Sequence, residues 1–359
     1  MSAGGTGGGV YPALAVLSAL GERADVLWVG GQGGMEAALV RRAGVRFEAI
    51  PAAGLHGVGW RSLPGNLAQL AAGIPAARRI LARFDPDVLF FTGGYVAVPV
   101  AIAGRKRPQV IFVPDVEPGL ALRLISRFAD LITVSTEAAK DSYPEGKRVL
   151  VTGYPTRAEL EPSHSARARS QLGLDQDLPV LLVFGGSRGA RSINEALWNC
   201  LPALLGSCQV LHITGELDWP RVAAVSEALP PELATRYHPH AYLHEQMGAA
   251  LSAAELAVSR AGAATLGEFP RFGLPAVLVP YPHAWRYQQM NAQHLEAAGG
   301  AVILPDEQLS DSLCDLVLRL FGDRERLERM QSAMGSLDRP GAADRIAEEI
   351  MTLSSWRSE

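Results

Sequence analysis

Two glycine-rich runs hold the residues best suited to chemistry. The first is Gly4-Gly5-Thr6-Gly7-Gly8-Gly9, which continues into Val10-Tyr11-Pro12-Ala13-Leu14-Ala15. The second is Gly185-Gly186-Ser187-Arg188-Gly189-Ala190, preceded by the apolar run 180–184. Glycine lets a main chain turn sharply and come close to a ligand. The helix that follows such a turn aims free N–H groups and its positive dipole end at whatever sits there, and this suits a phosphate. Two such loops about 180 residues apart predict two Rossmann-like halves facing one cleft, with a phosphate-bearing ligand between them.

Loops of this kind need strands in front and helices behind. Apolar runs at 26–29, 88–91, 110–113, 131–134 and 149–152 form one set of candidate strands. Runs at 180–184, 210–214, 256–258, 276–279 and 301–304 form a second. Strands this apolar are buried on both faces, as in parallel sheets covered by helices. The alternation with longer helix-compatible stretches predicts a doubly wound α/β fold, twice over. Residues 1–153 plus 340–359 are assigned to an N-terminal domain and 154–339 to a C-terminal one. The segment Gly153-Tyr154-Pro155-Thr156 serves as linker. Ile346, Ile350 and Leu353 place one apolar stripe on a final helix expected to cross back onto the N-terminal domain. Only Met1-Ser2-Ala3 precede the first loop, too few for a central strand. The expectation is a truncated first strand, with a start further upstream as the alternative.

Composition narrows the function. The chain has 359 residues, 48% hydrophobic and 19% charged, which fits two soluble globular domains. No apolar run approaches the roughly 18 residues of a membrane span, and no leader-like segment is visible. Cys200, Cys208 and Cys314 lack metal-ligand spacing and read as buried, reduced thiols of a cytosolic protein. Residues 1–155 hold 16 basic against 12 acidic side chains, the remainder 17 against 25. A basic first half on an acidic chain points to an anionic surface or substrate on that side. A negative total charge without interleaved basic and aromatic residues argues against nucleic acid.

Beyond single loops, the motifs resemble one family. The first run through Ala15, Gly93-Gly94-Tyr95-Val96-x-x-Pro99, Gly153-x-Pro155-x-Arg157 and the second glycine run through Asn194 are similar to bacterial cell-wall glycosyltransferases. So are Ser259-Arg260-Ala261-Gly262-Ala263-Ala264-Thr265-Leu266-Gly267-Glu268 and His283-x-x-Arg286-x-Gln288-x-x-Asn291-Ala292. These are the UDP-N-acetylglucosamine:undecaprenyl-diphospho-muramoylpentapeptide N-acetylglucosaminyltransferases, which convert lipid I to lipid II. The similarity spans essentially the whole chain in order. It implies the GT-B architecture and inverting transfer that needs neither metal nor cofactor, only the donor UDP-GlcNAc. The donor is then held mainly by the C-terminal domain. Ser187, Arg188, Gly189 and the loop amides face the diphosphate; the family usually has glutamine where Arg188 stands. Arg157 and Leu243 lie on the uracil side and Glu268 on the ribose. Ala263, Ala264, Thr265, Leu266 and Gly267 meet ribose and phosphate, and Gln288, Gln289 and Asn291 the sugar. Charge grows on the leaving diphosphate, so fixed amide donors there favour the transition state.

The acceptor half departs from the family. Gly9 stands where the family carries histidine, and Asp115 and Glu117 lie in a stretch whose family tetrad is otherwise missing. His56 replaces an arginine. Asp115, Glu117 and His56 are the candidate bases, with Thr6, Gly7, Gly8 and Asp115 on the acceptor-side surface. Asp115 leads because it follows the 110–113 strand, where α/β sites lie; it also reads as a turn residue. Three readings stay open: the same reaction with another base, a different lipid or sugar acceptor, or sugar-nucleotide binding without turnover. A UDP-GlcNAc 2-epimerase and a nicotinamide-dependent dehydrogenase are the alternatives from other classes. A lipid acceptor implies peripheral contact with the cytoplasmic face of an anionic membrane. Trp60, Arg61, Leu63, the 74–84 segment with Arg78, Arg79 and Arg83, and Arg105-Lys106-Arg107 are candidates, whereas Ile80 and Leu81 are expected in the core.

Overall fold

Residues 1–4, 7–54, 63–186, 189–282 and 286–355 are described by a computed structural model. The chain divides into two units, Met1–Ala158 with Arg339–Glu359, and Glu159–Asp338.

The first unit alternates strand and helix: β1 Ser2–Ala3, α1 Gly7–Leu20, β2 Leu27–Gly31, α2 Glu36–Arg42, β3 Arg46–Ile50 and α3 Leu63–Phe84. Then follow β4 Leu89–Gly93, α4 Ala97–Ala103, β5 Gln109–Val113, α5 Leu120–Ile125, β6 Leu131–Val134 and β7 Val149–Val151. The strands run parallel in the order β1-β4-β5-β6-β7, with β2-β3 as a separate pair. The apolar runs explain this: β2, β4, β5 and β6 are buried along their length and covered by helices.

β1 pairs with β4 only at Ser2 opposite Phe91 and Ala3 opposite Gly93. Its contact to β2 rests on single bonds, among them Val29 N–H to the Met1 carbonyl at 2.9 Å. Beyond it, a cavity of about 310 Å³ opens among Leu27, Val29, Leu81, Phe84, Leu89 and Phe91. The β2-β3 pair thus stands apart from the five-stranded sheet and is tied to it through residues 1 and 2.

The second unit contains α6 Ser165–Leu172, β8 Val180–Phe184, α7 Arg191–Leu205, β9 Gln209–Ile213, α8 Val222–Glu227, α9 Pro231–Ala234, β10 Tyr237–His240 and α10 Met247–Ala253. It continues with β11 Leu256–Ser259, α11 Thr265–Phe272, β12 Ala276–Leu278, α12 Tyr287–Ala297, β13 Ala301–Ile303, α13 Leu309–Gly322 and α14 Arg324–Gly335. Its six parallel strands run β10-β9-β8-β11-β12-β13. The strand order reverses between β8 and β11, which pair from Leu181 opposite Leu256 to Phe184 opposite Ser259. In open α/β sheets the crevice beyond such a reversal, at the carboxyl ends of the strands, is where ligands bind.

The last helix, α15 Ala342–Ser355, belongs to the first unit and packs on α1. Its stripe of Ile346, Ile350 and Leu353 is buried, and Glu348 and Glu349 pair with Arg23 and Arg148. Gly153 has φ +86°, and a Cβ there would lie 2.6 Å from the Arg339 side chain. Glycine is what lets these two stretches pass so closely. Cys208 is buried, but Cys200 and Cys314 are half-buried, because they sit at the outer rim of the α7–α13 contact. Burial pushes the Cys200 and Cys208 thiols up to about 12, so neither is a nucleophile at neutral pH.

Candidate active site

In the second unit the two main candidate motifs, 185–190 and 259–268, stand at the carboxyl ends of β8 and β11, the strands on either side of the reversal. The second glycine run follows β8. Gly189 has φ +74°, and a Cβ on it would stand 2.3 Å from the Thr214 carbonyl oxygen. A Cβ on Gly185 would meet the Ala190 amide nitrogen at 2.2 Å. These positions admit only glycine, and the main chain is drawn tight at the start of α7. Gly189 N–H closes the turn on the Gly186 carbonyl at 3.0 Å. Ser187 and Arg188 lie outside the described residues.

Across the reversal, the loop after β11 leads into α11. Thr265 Oγ1 donates to the Gly262 carbonyl at 2.7 Å and fixes the turn. Ala263, Thr265, Leu266 and Gly267 are buried there. Glu268 lies in the first turn of α11 and is half-buried, with solvent access. Arg260 ties the two loops together. It donates to Asp306 Oδ1 at 2.5 Å and to Ser192 Oγ, in the first turn of α7, at 2.8 Å. The motif arginine thus sets the spacing between the loop after β8 and the loop after β11.

The remaining donor-side candidates are placed as follows. Leu243 is buried just beyond β10. Gln288 is half-buried, and its Oε1 accepts from Tyr281 N–H at 2.9 Å. Gln289 is exposed. Asn291 is fully buried and donates to the Ala261 carbonyl at 3.1 Å, so it supports the β11 loop from beneath. Arg157 belongs to the first unit and lies 4.8 Å over the Tyr11 ring of α1.

On the first unit, Gly7 and Gly8 open α1, while Thr6 and His56 lie outside the described residues. Gly94 has φ +87°, and a Cβ on it would be 2.5 Å from the Gly4 carbonyl oxygen. The Gly93-Gly94 turn therefore packs directly on the first glycine run. Thr92 Oγ1 donates to the Gly9 carbonyl at 2.5 Å. Gly9 itself is under no such constraint. A Cβ there would be 3.5 Å from the nearest described atom, the Thr92 carbonyl oxygen. Asp115 is half-buried just past β5, behind Pro114, whose carbonyl accepts from Ser135 Oγ at 2.7 Å. Glu117 accepts from Arg123 at 2.9 Å, an exposed pair that engages its carboxylate. Among the described residues, no group of three or more His, Cys, Asp or Glu is placed to hold a metal ion.

Three supporting residues carry no sequence motif of their own. Glu36 is buried, accepts from Gly31 N–H at 2.8 Å and lies against Gly4 and Gly34. Its only signal is an acidic residue at a helix start just after Gly33-Gly34. Thr92 and His212 sit inside strands and read as strand residues.

Two Rossmann-like units, each with a glycine turn at its strand reversal, have the GT-B architecture of nucleotide-sugar enzymes. The family 28 N-terminal domain matches residues 1–134 and the family 28 C-terminal domain residues 180–346. A protein of Roseiflexus sp. (strain RS-1), described as a UDP-N-acetylglucosamine--N-acetylmuramyl-(pentapeptide) pyrophosphoryl-undecaprenol N-acetylglucosamine transferase, is 40% identical over 98% of this chain and 93% of its own. One of the same description from Desulforudis audaxviator (strain MP104C) is 36% identical, covering 99% and 98%. The crystal structure of MurG from Acinetobacter baumannii superimposes with a TM-score of 0.78 at 26% identity, covering 98% of both chains. The chain belongs to this family of N-acetylglucosamine transferases within glycosyltransferase family 28. That assignment sets aside the epimerase and dehydrogenase alternatives.

Proposed function

We propose that the protein transfers N-acetylglucosamine from UDP-GlcNAc to the 4-hydroxyl of the muramyl sugar on an undecaprenyl-diphosphate lipid, lipid I, giving lipid II. The observation that carries this reading is the convergence of both donor-side motifs on the strand reversal of the second sheet, held together by Arg260. The names of the relatives supply the substrates.

In this reaction the acceptor oxygen attacks the anomeric carbon as its bond to UDP breaks. Configuration inverts, the acceptor proton passes to a base, and the electron pair leaves with the diphosphate. Main-chain amides at the start of α7 stabilise that growing charge in place of a metal ion. Glu268 accepts from the ribose hydroxyls, as a carboxylate does with a diol. Leu243 offers its main chain to the uracil edge. Ala263, Ala264, Thr265, Gln288 and Gln289 face the sugar and phosphate. Asp115, just past the carboxyl end of β5 where α/β sites lie, takes the proton, since Gly9 has no side chain to do so.

The acceptor lipid brings the first unit to a membrane surface, on the cytoplasmic face where UDP-sugars are found. No helix among the described residues is long and apolar enough to cross a bilayer. Contact is peripheral, through the face built by α3, α4 and α5. Leu67 is 54% and Leu120 48% exposed there, with Arg78, Arg79, Arg123 and Arg127 at the surface. Exposed apolar side chains together with surface arginines suit anionic lipid. Ile80 and Leu81 belong to the core.

Incubating the protein with labelled UDP-GlcNAc and lipid I in EDTA tests this. Labelled lipid II is expected. Donor binding without product would favour a different acceptor or a binding protein without turnover, and loss of transfer in EDTA would refute the metal-free route.

A further inference from the structure

A chain of hydrogen bonds runs beneath the second glycine run, and its direction is fixed from the Asn194 end. The Trp198 indole N–H, which only donates, reaches Tyr237 Oη at 3.0 Å. His212 Nδ1 lies 3.0 Å from the same hydroxyl, and His212 Nε2 lies 3.0 Å from Asn194 Oδ1. The Asn194 nitrogen is committed to two acceptors, so Oδ1 must accept; Nε2 therefore carries the proton, and the bare Nδ1 accepts from the Tyr237 hydroxyl. The Asn194 amide nitrogen donates to the Thr214 carbonyl and to Asp218 Oδ2, each at 2.9 Å. Asp218 Oδ1 accepts from Arg191 Nε at 3.0 Å. Turning the Asn194 amide over would set its oxygen against a carbonyl and a carboxylate, and its NH2 against the His212 N–H.

The end of this chain is the glycine run. The Thr214 carbonyl that Asn194 holds is the atom that Gly189 packs against, and Arg191 opens α7 directly after the run. His212 and Asn194 are fully buried, so no solvent can substitute for a lost partner. Burial also holds His212 neutral, with its pKa pushed down to about 3.

We infer that His212 is a positioning residue for the diphosphate donor: by fixing the orientation of the Asn194 amide it holds Thr214, and with it Gly189, in the shape that presents main-chain amides to a diphosphate. The inference rests on the proposed donor site.

UDP titration by calorimetry tests it on the full chain, with the thermal midpoint measured alongside. His212→Leu removes both hydrogen bonds and is expected to weaken UDP binding about tenfold or more. His212→Gln, which carries an acceptor and a donor on one side chain, restores affinity to within about threefold of wild type. Leu204→Ala, a core truncation in the same helix, lowers the midpoint but keeps wild-type affinity. Asn194→Leu costs as much as His212→Leu, and the double variant costs no more than either alone, because His212 acts through Asn194. Tyr237→Phe removes only the hydroxyl that pins the His212 proton. It carries the test should His212→Leu fail to fold, with about a threefold loss expected. Wild-type affinity in His212→Leu or Tyr237→Phe would overturn the inference, as would an equal loss in Leu204→Ala. Failure of the wild-type protein to bind UDP would instead remove the donor site, and this inference with it.

Discussion

Replacing Gly189 with alanine adds one carbon atom at the place where the second glycine run meets the sheet. Two costs can be read from the geometry. A φ of +74° is the left-handed region, where a residue with a Cβ pays roughly 1–2 kcal/mol. The new carbon would also stand 2.3 Å from the Thr214 carbonyl oxygen, which cannot swing aside. That carbonyl is held by Asn194 at 2.9 Å, and Thr214 N–H is bonded to His240 at 2.9 Å. Forcing an atom into a packed site costs about 1–3 kcal/mol. The smaller sum, about 2 kcal/mol, reduces the population of the binding shape and raises the apparent Kd for UDP about thirtyfold. Gly9→Ala is the matched control. Its Cβ would be 3.5 Å from the nearest described atom in a helix that glycine weakens, so the variant is expected to gain about 0.5–1 kcal/mol in urea unfolding. Calorimetric titration with UDP reads the first effect and equilibrium unfolding the second. UDP affinity in Gly189→Ala within about threefold of wild type would refute the steric account of the donor loop.

Glu268→Ala is expected to weaken UDP-GlcNAc binding about tenfold, the scale of hydrogen bonds to a charged group, with Glu268→Gln recovering part of it; unchanged affinity in calorimetry counts against the ribose assignment. Stability falls on acidification because His212, held neutral down to about pH 3, takes up a proton only on unfolding, where its pKa is near 6.5. Its folded pKa lies below its unfolded one, so between those values stability rises with pH. From pH 7 to pH 5 the loss is about 2 kcal/mol in urea unfolding, and His212→Gln should lack it. His238, His240 and His294, also shifted down by burial, add to the slope in the same direction. Gly9→His restores a side chain where a Cβ would meet no described atom closer than 3.5 Å. If a loop histidine assists the acceptor hydroxyl, kcat for transfer rises about a hundredfold, measured as lipid II formed per minute; an unchanged kcat leaves proton removal to Asp115.

The interior strands were legible because they are buried on both faces and so read as unbroken apolar runs. Val180–Phe184 and Leu131–Val134 appear as expected, and Gln209–Ile213 is displaced by one residue. The strands that escaped are at edges or very short. β3 alternates Arg46, Phe47, Glu48 and Ala49 with much of its length open to solvent. β10 holds Pro239, which an edge strand tolerates and a central one does not. The glycine turns were legible because their constraint is local: a positive φ or a close approach is written at the position itself. What holds those turns was not, because it acts across the fold. Arg260 reaches Ser192, 68 positions away, and Asn194 depends on His212 in the neighbouring strand. A histidine inside an apolar run looks like any other buried strand residue until its partners are seen.

The most direct measurement is a crystal soaked in UDP-GlcNAc. Density is expected at the carboxyl edge of the second sheet, with the diphosphate on the main-chain amides at the start of α7 and the ribose beside Glu268. A nucleotide bound away from the β8–β11 reversal, or none bound at saturating concentration, would contradict the account.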